Sequence, residues 1–595
     1  VQILPVDDPQ WYRHAVFYEI YVRGFLDSSG DGTGDFLGVV DKLDYLSWLG
    51  IDCIWLLPFY ASPLRDGGYD ISDFMDVHPT YGTRDDLLTL IYEAHRRGMR
   101  VIGDLVLNHT SDQHPWFVES RADRTNPRAD WYVWADDDQR WTDVPIIFKD
   151  TEPSNWTWCP DRGQYYWHRF FHHQPDLNYR NPEVQDAMLE VVRTWLAFGL
   201  DGFRLDAVPY LFEADGTLCQ NLPETHAFLR RLRAEVDRVA PGTVLLAEAN
   251  QWPTDLVDYF GDGDECHMCF HFPLMPRMYL AAKRGEASPI SSLLAETPPL
   301  PPGCQWATFL RNHDELTLEM VTDAERDELF EEYAADPMMR RNNGIGRRLA
   351  PLLRDDRRLM ELFYLLLLSL PGSPVLYYGD EIGMGDDTRL GDRDSVRTPM
   401  QWTSEPSAGF SPLPPHELYL PLVSDPRFTN NHVNVAAQQQ DEHSLLHWLR
   451  HAMSLRRSRP QLAVGDHVPV EADHPAVLAF VRTGDADSHH DVLCVANLSN
   501  RNVASRLSLE RWAGWTVTEI FGGEGFPTVV NGHYLVQLAP RHMLLLDLTT
   551  EPKEPPCTTD SETSRRRHWW SRSTGSTRTS PRWRRRSPEG GSDPT

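Results

Sequence analysis

Asp104-Leu-Val-Leu-Asn-His109, Gly202-Phe-Arg-Leu-Asp206, Leu246-Ala-Glu248 and Arg311-Asn-His-Asp314 decide the fold. Each puts an acidic residue in, or at the end of, a short apolar run, and in three of them Arg or His stands beside it. Their order and separation suit successive strand-to-helix loops of a (β/α)8 TIM barrel, the face on which that fold places its active sites. The flanking sequence agrees. Residues 15–25 are rich in aromatic and β-branched side chains and read as a first strand. Residues 36–49 read as a helix stopped by Gly50, 53–57 as a strand, 84–97 as a helix stopped by Gly98, and 100–107 as a strand. Strand and helix in alternation predict a parallel sheet.

Residues 108–178 interrupt this alternation with Trp, Pro, Asp and His, and read as an inserted excursion domain after strand three. The pattern resumes with helices over 183–198 and 224–239 and strands over 202–207, 244–248, 305–310 and 374–378; the segment through Phe270-His-Phe272 reads as a further barrel strand. The expected catalytic barrel therefore comprises residues 12–107 and 179–464. Residues 315–356, longer and more charged than an ordinary loop, read as a lid-like insertion within it. From 465 to 550 short strand-like runs predict a C-terminal antiparallel β-sandwich. The tail, 551–595, carries ten Lys or Arg against six Asp or Glu with no apolar period, which predicts disorder and suits a linker remnant or a shifted reading frame.

The net charge of −30 disfavours nucleic acid as the main partner, because a phosphate-binding surface needs a basic stripe. A neutral small molecule fits better. No stretch approaches the roughly 20 apolar residues of a membrane span, and the first residues lack a charged start followed by an apolar run, so a soluble cytoplasmic protein is expected. The eight cysteines are scattered and read as reduced. Cys266 and Cys269, three apart, have the spacing of half a zinc site, but no second pair exists to complete it, and they read as structural.

Three carboxylates converging at a barrel mouth point to glycoside chemistry, where one acts as nucleophile and a second, about 5 Å away, gives and then takes a proton. Asp206 and Glu248 can supply that pair. The quoted segments, together with Leu245-Leu-Ala-Glu-Ala-Asn-Gln-Trp-Pro253, Phe309-Leu-Arg-Asn-His-Asp-Glu-Leu-Thr-Leu-Glu319 and Pro371-Gly-Ser-Pro-Val-Leu-Tyr-Tyr-Gly-Asp-Glu-Ile-Gly-Met-Gly385, resemble the α-amylase superfamily of glycoside hydrolases and transglycosidases over residues 12–550. Within it the resemblance is to the maltose glucosylmutases. It implies a nucleophile at Asp206 kept ionised by Arg204, a general acid and base at Glu248, and a third carboxylate at Asp314. It also implies sugar contacts from Asp66, Tyr69, His109, Gln174, Arg204, His313 and Arg393. The tyrosine would stack on the sugar, Arg393 would pair with Asp66 to close the pocket, and Gln174 would touch the second sugar.

The same resemblance implies two structural metal sites. A calcium or magnesium loop would use Asp27, Ser29, Asp31, Thr33 and Asp35, which alternate as oxygen ligands do; Ser29 stands where the family usually has Asn. A calcium site would join the excursion domain to the barrel through Asn108, Asp176, the carbonyls of Tyr210 and Leu211, and Glu213. No organic cofactor is expected. The implied reaction is interconversion of maltose and trehalose through a retained glucosyl-enzyme, with minor hydrolysis to glucose. A hydrolytic α-glucosidase shares every residue above, and a non-catalytic binding homologue would have lost carboxylates that this chain keeps. The implied partners are the disaccharides, with no nucleic acid and no membrane; a homo-oligomer and a maltokinase partner are compatible with the sequence.

Overall fold

A computed structural model describes residues 8–484 and 489–550. Eight parallel strands close into a barrel: β1 (Phe17–Ile20), β2 (Cys53–Leu56), β3 (Arg100–Val106), β4 (Gly202–Asp206), β5 (Val244–Ala247), β6 (Met268–Phe270), β7 (Gln305–Phe309) and β8 (Ser373–Tyr377). They neighbour one another in chain order, and β8 returns to β1 with Phe17 opposite Val375 and Glu19 opposite Tyr377. Nearly every residue of these strands is buried on both faces, as a parallel sheet wrapped by helices requires.

Local chemistry sets the helices between them. Helix Arg84–Arg96 starts in a capping box between Thr83 and Asp86. Helix Pro182–Phe198 starts at Asn181, whose side chain accepts from Glu183 N, with Pro182 at the first turn, and stops at Gly199 in the left-handed region. Gly202 opens β4 where it crowds β5: a Cβ there would stand 2.4 Å from the carbonyl oxygen of Val244, so only glycine lets the strands approach.

Two expectations over the first elements are corrected. The strand expected over 15–25 ends at Ile20, and Val22–Phe25 turns into a short helix. The helix expected over 36–49 is two, Phe36–Asp41 and Leu43–Leu49, because Lys42 leaves the helical region (φ −107°, ψ 4°) and lays its ammonium 4.3 Å over the ring of Trp402.

Residues 108–178 form a separate lobe with helix Pro115–Ala122, a three-stranded antiparallel sheet and a small core around Trp156 and Trp167. The insertion after β7 is ordered: Leu316–Thr317, Arg340–Arg341 and Gly344–Ile345 make a small sheet, and helix Asp323–Tyr333 is tied to helix Leu274–Arg284 by Arg277–Glu325, Lys283–Glu332 and Arg284–Glu328 ion pairs. It meets the excursion lobe where Asn342 N donates to Asp150 at 2.7 Å and Lys149 bonds Asn343. The C-terminal domain pairs a six-stranded antiparallel sheet with a two-stranded one, and Val503–Ser508 and His533–Leu538 alternate buried and exposed as strands with one wet face do. The tail, 551–595, lies outside the described residues. Among those described, no helix is long and apolar enough to cross a membrane, and the seven cysteines are buried and unbridged.

Candidate active site

Asp206 ends β4, Glu248 follows β5, and Asp314 lies five residues beyond β7, so the three carboxylates rise from the carboxyl-terminal end of the barrel. Arg204, two residues before Asp206 on β4, stands between Asp104 of β3 and Leu246 of β5 in register. Its buried guanidinium grips Asp104 at 2.8 Å and Asp206 at 2.5 Å through Nη1, and Glu248 at 2.7 Å through Nη2. Ala207 holds a left-handed backbone (φ 51°), a conformation that costs a residue with a Cβ of order 1–3 kcal/mol. That turn aims its N–H at Glu248 Oε2, 3.1 Å away.

The electrostatics separate the three acids. Burial pushes Glu248 up to about 7, helped by Asp206 and Asp314 against the pull of Arg204. Burial also pushes Asp206 up, to about 6, outweighing Arg204. Arg204 acts in the direction expected of it, favouring the ionised acid, but it only limits a rise that desolvation imposes. Burial raises Asp314 too, but His313, Arg393 and Arg397 overcome it and hold the carboxyl well below the usual range.

Asp206, Glu248 and Asp314 line one cavity of about 140 Å3, with Asp66, Tyr69, His109 and Arg393 around them. Arg393 ion-pairs with Asp66 and reaches Asp314 at 3.1 Å, closing one end. Tyr69 stands against the wall, stacked on His313 at 5.4 Å and 10°. Burial lowers His109 to about 3, leaving a neutral ring whose Nε2 has no partner and can serve a ligand. Phe148, Phe170, Tyr210 and Phe272 supply the apolar wall.

Three expected sugar contacts are placed differently. Gln174 is fully buried and does not line the cavity; its Nε2 donates to Asp66 Oδ2 at 2.7 Å and orients that acid. Arg204 and His313 also lie behind the wall, holding carboxylates rather than facing the space. Conversely, the cavity recruits Asn250, Glu315, Thr317 and Glu319, which the sequence reading passed over. Asn250 Nδ2 donates to Glu319 at 2.8 Å, and burial pushes Glu315 up to about 7. The alternation Glu315-Leu-Thr-Leu-Glu319, with both leucines buried, was the available signal: a two-residue period puts the polar set on one face.

Between the excursion lobe and the barrel, Asn108 Oδ1, Asp176 Oδ2 and Glu213 Oε1 are buried oxygens with no hydrogen-bond partner. Orphan oxygens facing one another are what an oxygen-loving cation requires. The loop from Asp27 to Asp35 differs. Asp27 accepts from Gly30 N, Gly32 N and Ser411 Oγ, and Asp35 from Ser28 N, Ser29 N and Gly38 N, so every oxygen of both carboxylates already has a donor. Ser29 Oγ is spent on Asp27, and Asp31 accepts from Thr33 N at the surface. Among the described residues, no three His, Cys, Asp or Glu side chains gather as metal ligands, Cys266 and Cys269 included.

A family model described as the α-amylase catalytic domain matches residues 19–465, and one described as the maltogenic amylase C-terminal domain matches 469–545. The chain belongs to the α-amylase family. Within that family it is 58% identical over 559 residues to the trehalose synthase/amylase TreS of Mycobacterium tuberculosis, covering 93% of both chains. It is 55% identical to the trehalose synthase of Pimelobacter, covering 90% of this chain and 95% of that one. The solved trehalulose synthase MutB of Pseudomonas mesoacidophila superposes with a TM-score of 0.72 at 27% identity, over 91% of this chain and 99% of that one. The chain is thus an α-amylase family enzyme of the isomerase-type glucosyltransferase kind.

Proposed function

We propose that the enzyme interconverts maltose and trehalose by retaining double displacement. The observation that carries this is one guanidinium gripping both Asp206 and Glu248 beneath a cavity that Arg393 and Asp66 block at one end. One guanidinium holding both carboxyl groups through adjacent nitrogens keeps them near each other, as a retaining enzyme, whose two carboxyls lie about 5 Å apart, requires. The likeness to trehalose synthases over nearly the whole chain supports the substrate pair.

Glu248, kept protonated by burial, gives its proton to the glycosidic oxygen while an Asp206 oxygen attacks the anomeric carbon. The bond to the leaving glucose breaks, and a glucosyl ester forms on Asp206. Asp314, anionic between His313 and two arginines, holds hydroxyls of the transferred ring and balances the positive charge that develops on it. The freed glucose turns against the polar face of Asn250, Glu315 and Glu319. Its anomeric hydroxyl then yields a proton to Glu248 and attacks the anomeric carbon of the glucosyl ester, whose bond to the Asp206 oxygen breaks, giving the 1,1 linkage and restoring the Asp206 carboxylate. Water entering at this stage gives two glucoses, the minor hydrolysis. The insertion 315–356, joined to the excursion lobe through Asn342 and Asn343, is the roof that keeps water out.

Calcium held by Asn108, Asp176 and Glu213, with the carbonyls of Tyr210 and Leu211, would neutralise buried carboxylates where the excursion lobe joins the barrel. Its part is structural. The loop from Asp27 to Asp35 closes on its own hydrogen bonds and has no comparable orphan oxygen.

The test is a time course on purified enzyme with maltose alone, resolving maltose, trehalose and glucose, beside Asp206→Ala. Trehalose as the main product, absent in the variant, is expected. Glucose as the only product would place the enzyme among hydrolytic α-glucosidases.

A further inference from the structure

Strand β1 sends one acid into the barrel. Glu19 is fully buried opposite Trp55 of β2 and Tyr377 of β8, and its Oε1 accepts a close hydrogen bond from His313 Nδ1. Among the described residues no lysine or arginine pairs with it, and its Oε2 has no hydrogen-bond partner. The other ring nitrogen of His313, Nε2, stands 3.0 Å from Asp314 Oδ2 and 2.8 Å from Tyr69 Oη. A nitrogen facing a carboxylate needs a proton, since a lone pair there would oppose another acceptor. With a carboxylate on each side, the ring needs both protons and is an imidazolium.

That assignment fixes a direction of donation. Tyr69 gives its hydroxyl proton to Asp104 Oδ2 at 2.9 Å, so its oxygen shares the one proton of His313 Nε2 with Asp314. Asp104 receives Arg204 at 2.8 Å, and Arg204 holds Asp206 and Glu248. We propose that Glu19 is a positioning residue for the sugar site: by keeping His313 doubly protonated it orients Asp314 and Tyr69, and through Asp104 the guanidinium that carries both reacting carboxylates. Glu19 touches no substrate and lies outside the cavity.

The surroundings of the ring agree. Burial works against a charged histidine, yet Asp314 and Glu19 together carry His313 up to about 9. The other groups facing it are the edge of Trp55 from β2, at 5.9 Å, and Tyr69. Arg397 reaches only the backbone carbonyl of His313, at 3.1 Å.

The test borrows maltose from the proposed function as its probe. In Glu248→Gln enzyme, which binds without turnover, the Kd for maltose is measured by calorimetry from pH 6 to 8.5, beside Glu19→Gln/Glu248→Gln. Glutamine keeps the acceptor and loses the charge, so His313 should give up its proton at least about one pH unit lower. The Kd ratio of the two variants should then rise several-fold across that range. Glu19→Asp in the same background should flatten it again. Asp66 and Glu315, whose partners the Glu19 substitution leaves in place, titrate in both variants, so the ratio removes the part they share.

A ratio independent of pH would overturn the proposal, leaving Glu19 as filling. A second comparison does not depend on the Glu19 variants folding: His313→Gln/Glu248→Gln against Glu248→Gln. That ratio should be constant from pH 6 to 8.5; a change centred near the ordinary histidine value of about 6.5 would equally overturn the proposal. If maltose bound none of the variants, the substrate reading would fall instead, and the same series is then read with glucose, the single ring of the retained intermediate.

Discussion

At the residue scale, the separation of the acids predicts a pH profile. Asp206 must be anionic to attack, so activity should appear as pH rises through about 6. Glu248 must be protonated to release the first glucose, so kcat/KM should fall above about 7. Because one arginine joins them, the two limbs belong to the pair as macroscopic values. Initial rates from pH 5 to 8.5 should trace a narrow bell, and a rate still climbing at pH 8.5 would contradict the assignment of the acid. Glu248→Gln keeps the shape and removes the proton, so a loss in kcat of about 10²–10⁴-fold is expected. The variant should still bind maltose, which separates lost chemistry from lost folding.

At the scale of single elements, Gly202 and the insertion after β7 give the sharpest expectations. Gly202→Ala would drive a Cβ into the carbonyl of Val244 and splay β4 from β5, at a cost of about 1–3 kcal/mol in denaturant unfolding. An unchanged midpoint would mean that the strands can part freely. Shortening 334–343, which carries Asn342 and Asn343 to the excursion lobe, should raise the glucose share of the products while leaving maltose consumption within a few-fold; an unchanged ratio of trehalose to glucose would leave the roof without a role. Most of these elements are legible in the chain. The strands are near-continuous apolar runs, and the helices carry their own stops, such as Gly50 and Gly199. Elements whose ends are set by distant packing are not: nothing near Lys42 announces that Trp402 will take its ammonium. The site divides in the same way. Asp206 and Glu248 end apolar runs and Asp314 follows one, and it is the four segments in order, rather than any single acid, that pick them out. Gln174, Arg204 and His313 look alike as sugar-binding residues in a string of letters, and only their partners and the position of the cavity show that they stand behind the wall. Glu19, in the middle of a strand, is visible as an anomaly, but its partner lies on another strand's loop.

At the scale of the whole molecule, the calcium proposed between the excursion lobe and the barrel has a consequence for stability. Removing calcium with a chelator should lower the melting temperature, and adding it back should restore it. A ligand at 100 times its Kd stabilises by about 2.7 kcal/mol. Glu213→Gln should remove most of that response with little change at saturating chelator, and a melting temperature indifferent to chelator would argue that the orphan oxygens are served by water. The C-terminal domain is bound by comparable chemistry: Arg482, fully buried, donates to the carbonyls of Ser369, at the end of helix Arg357–Ser369, and Gly465. Closure of the barrel has a consequence in time. β1 is made well before β8, its neighbour on one side, which follows several hundred residues later. At about 5–20 residues per second that interval is tens of seconds. Throughout it the nascent sheet has an open edge, and Glu19 has neither His313 nor a barrel around it. The barrel therefore cannot close before β8 is made, and the yield of folded protein should depend on how well that edge is shielded during synthesis, improving at lower temperature or with added chaperone.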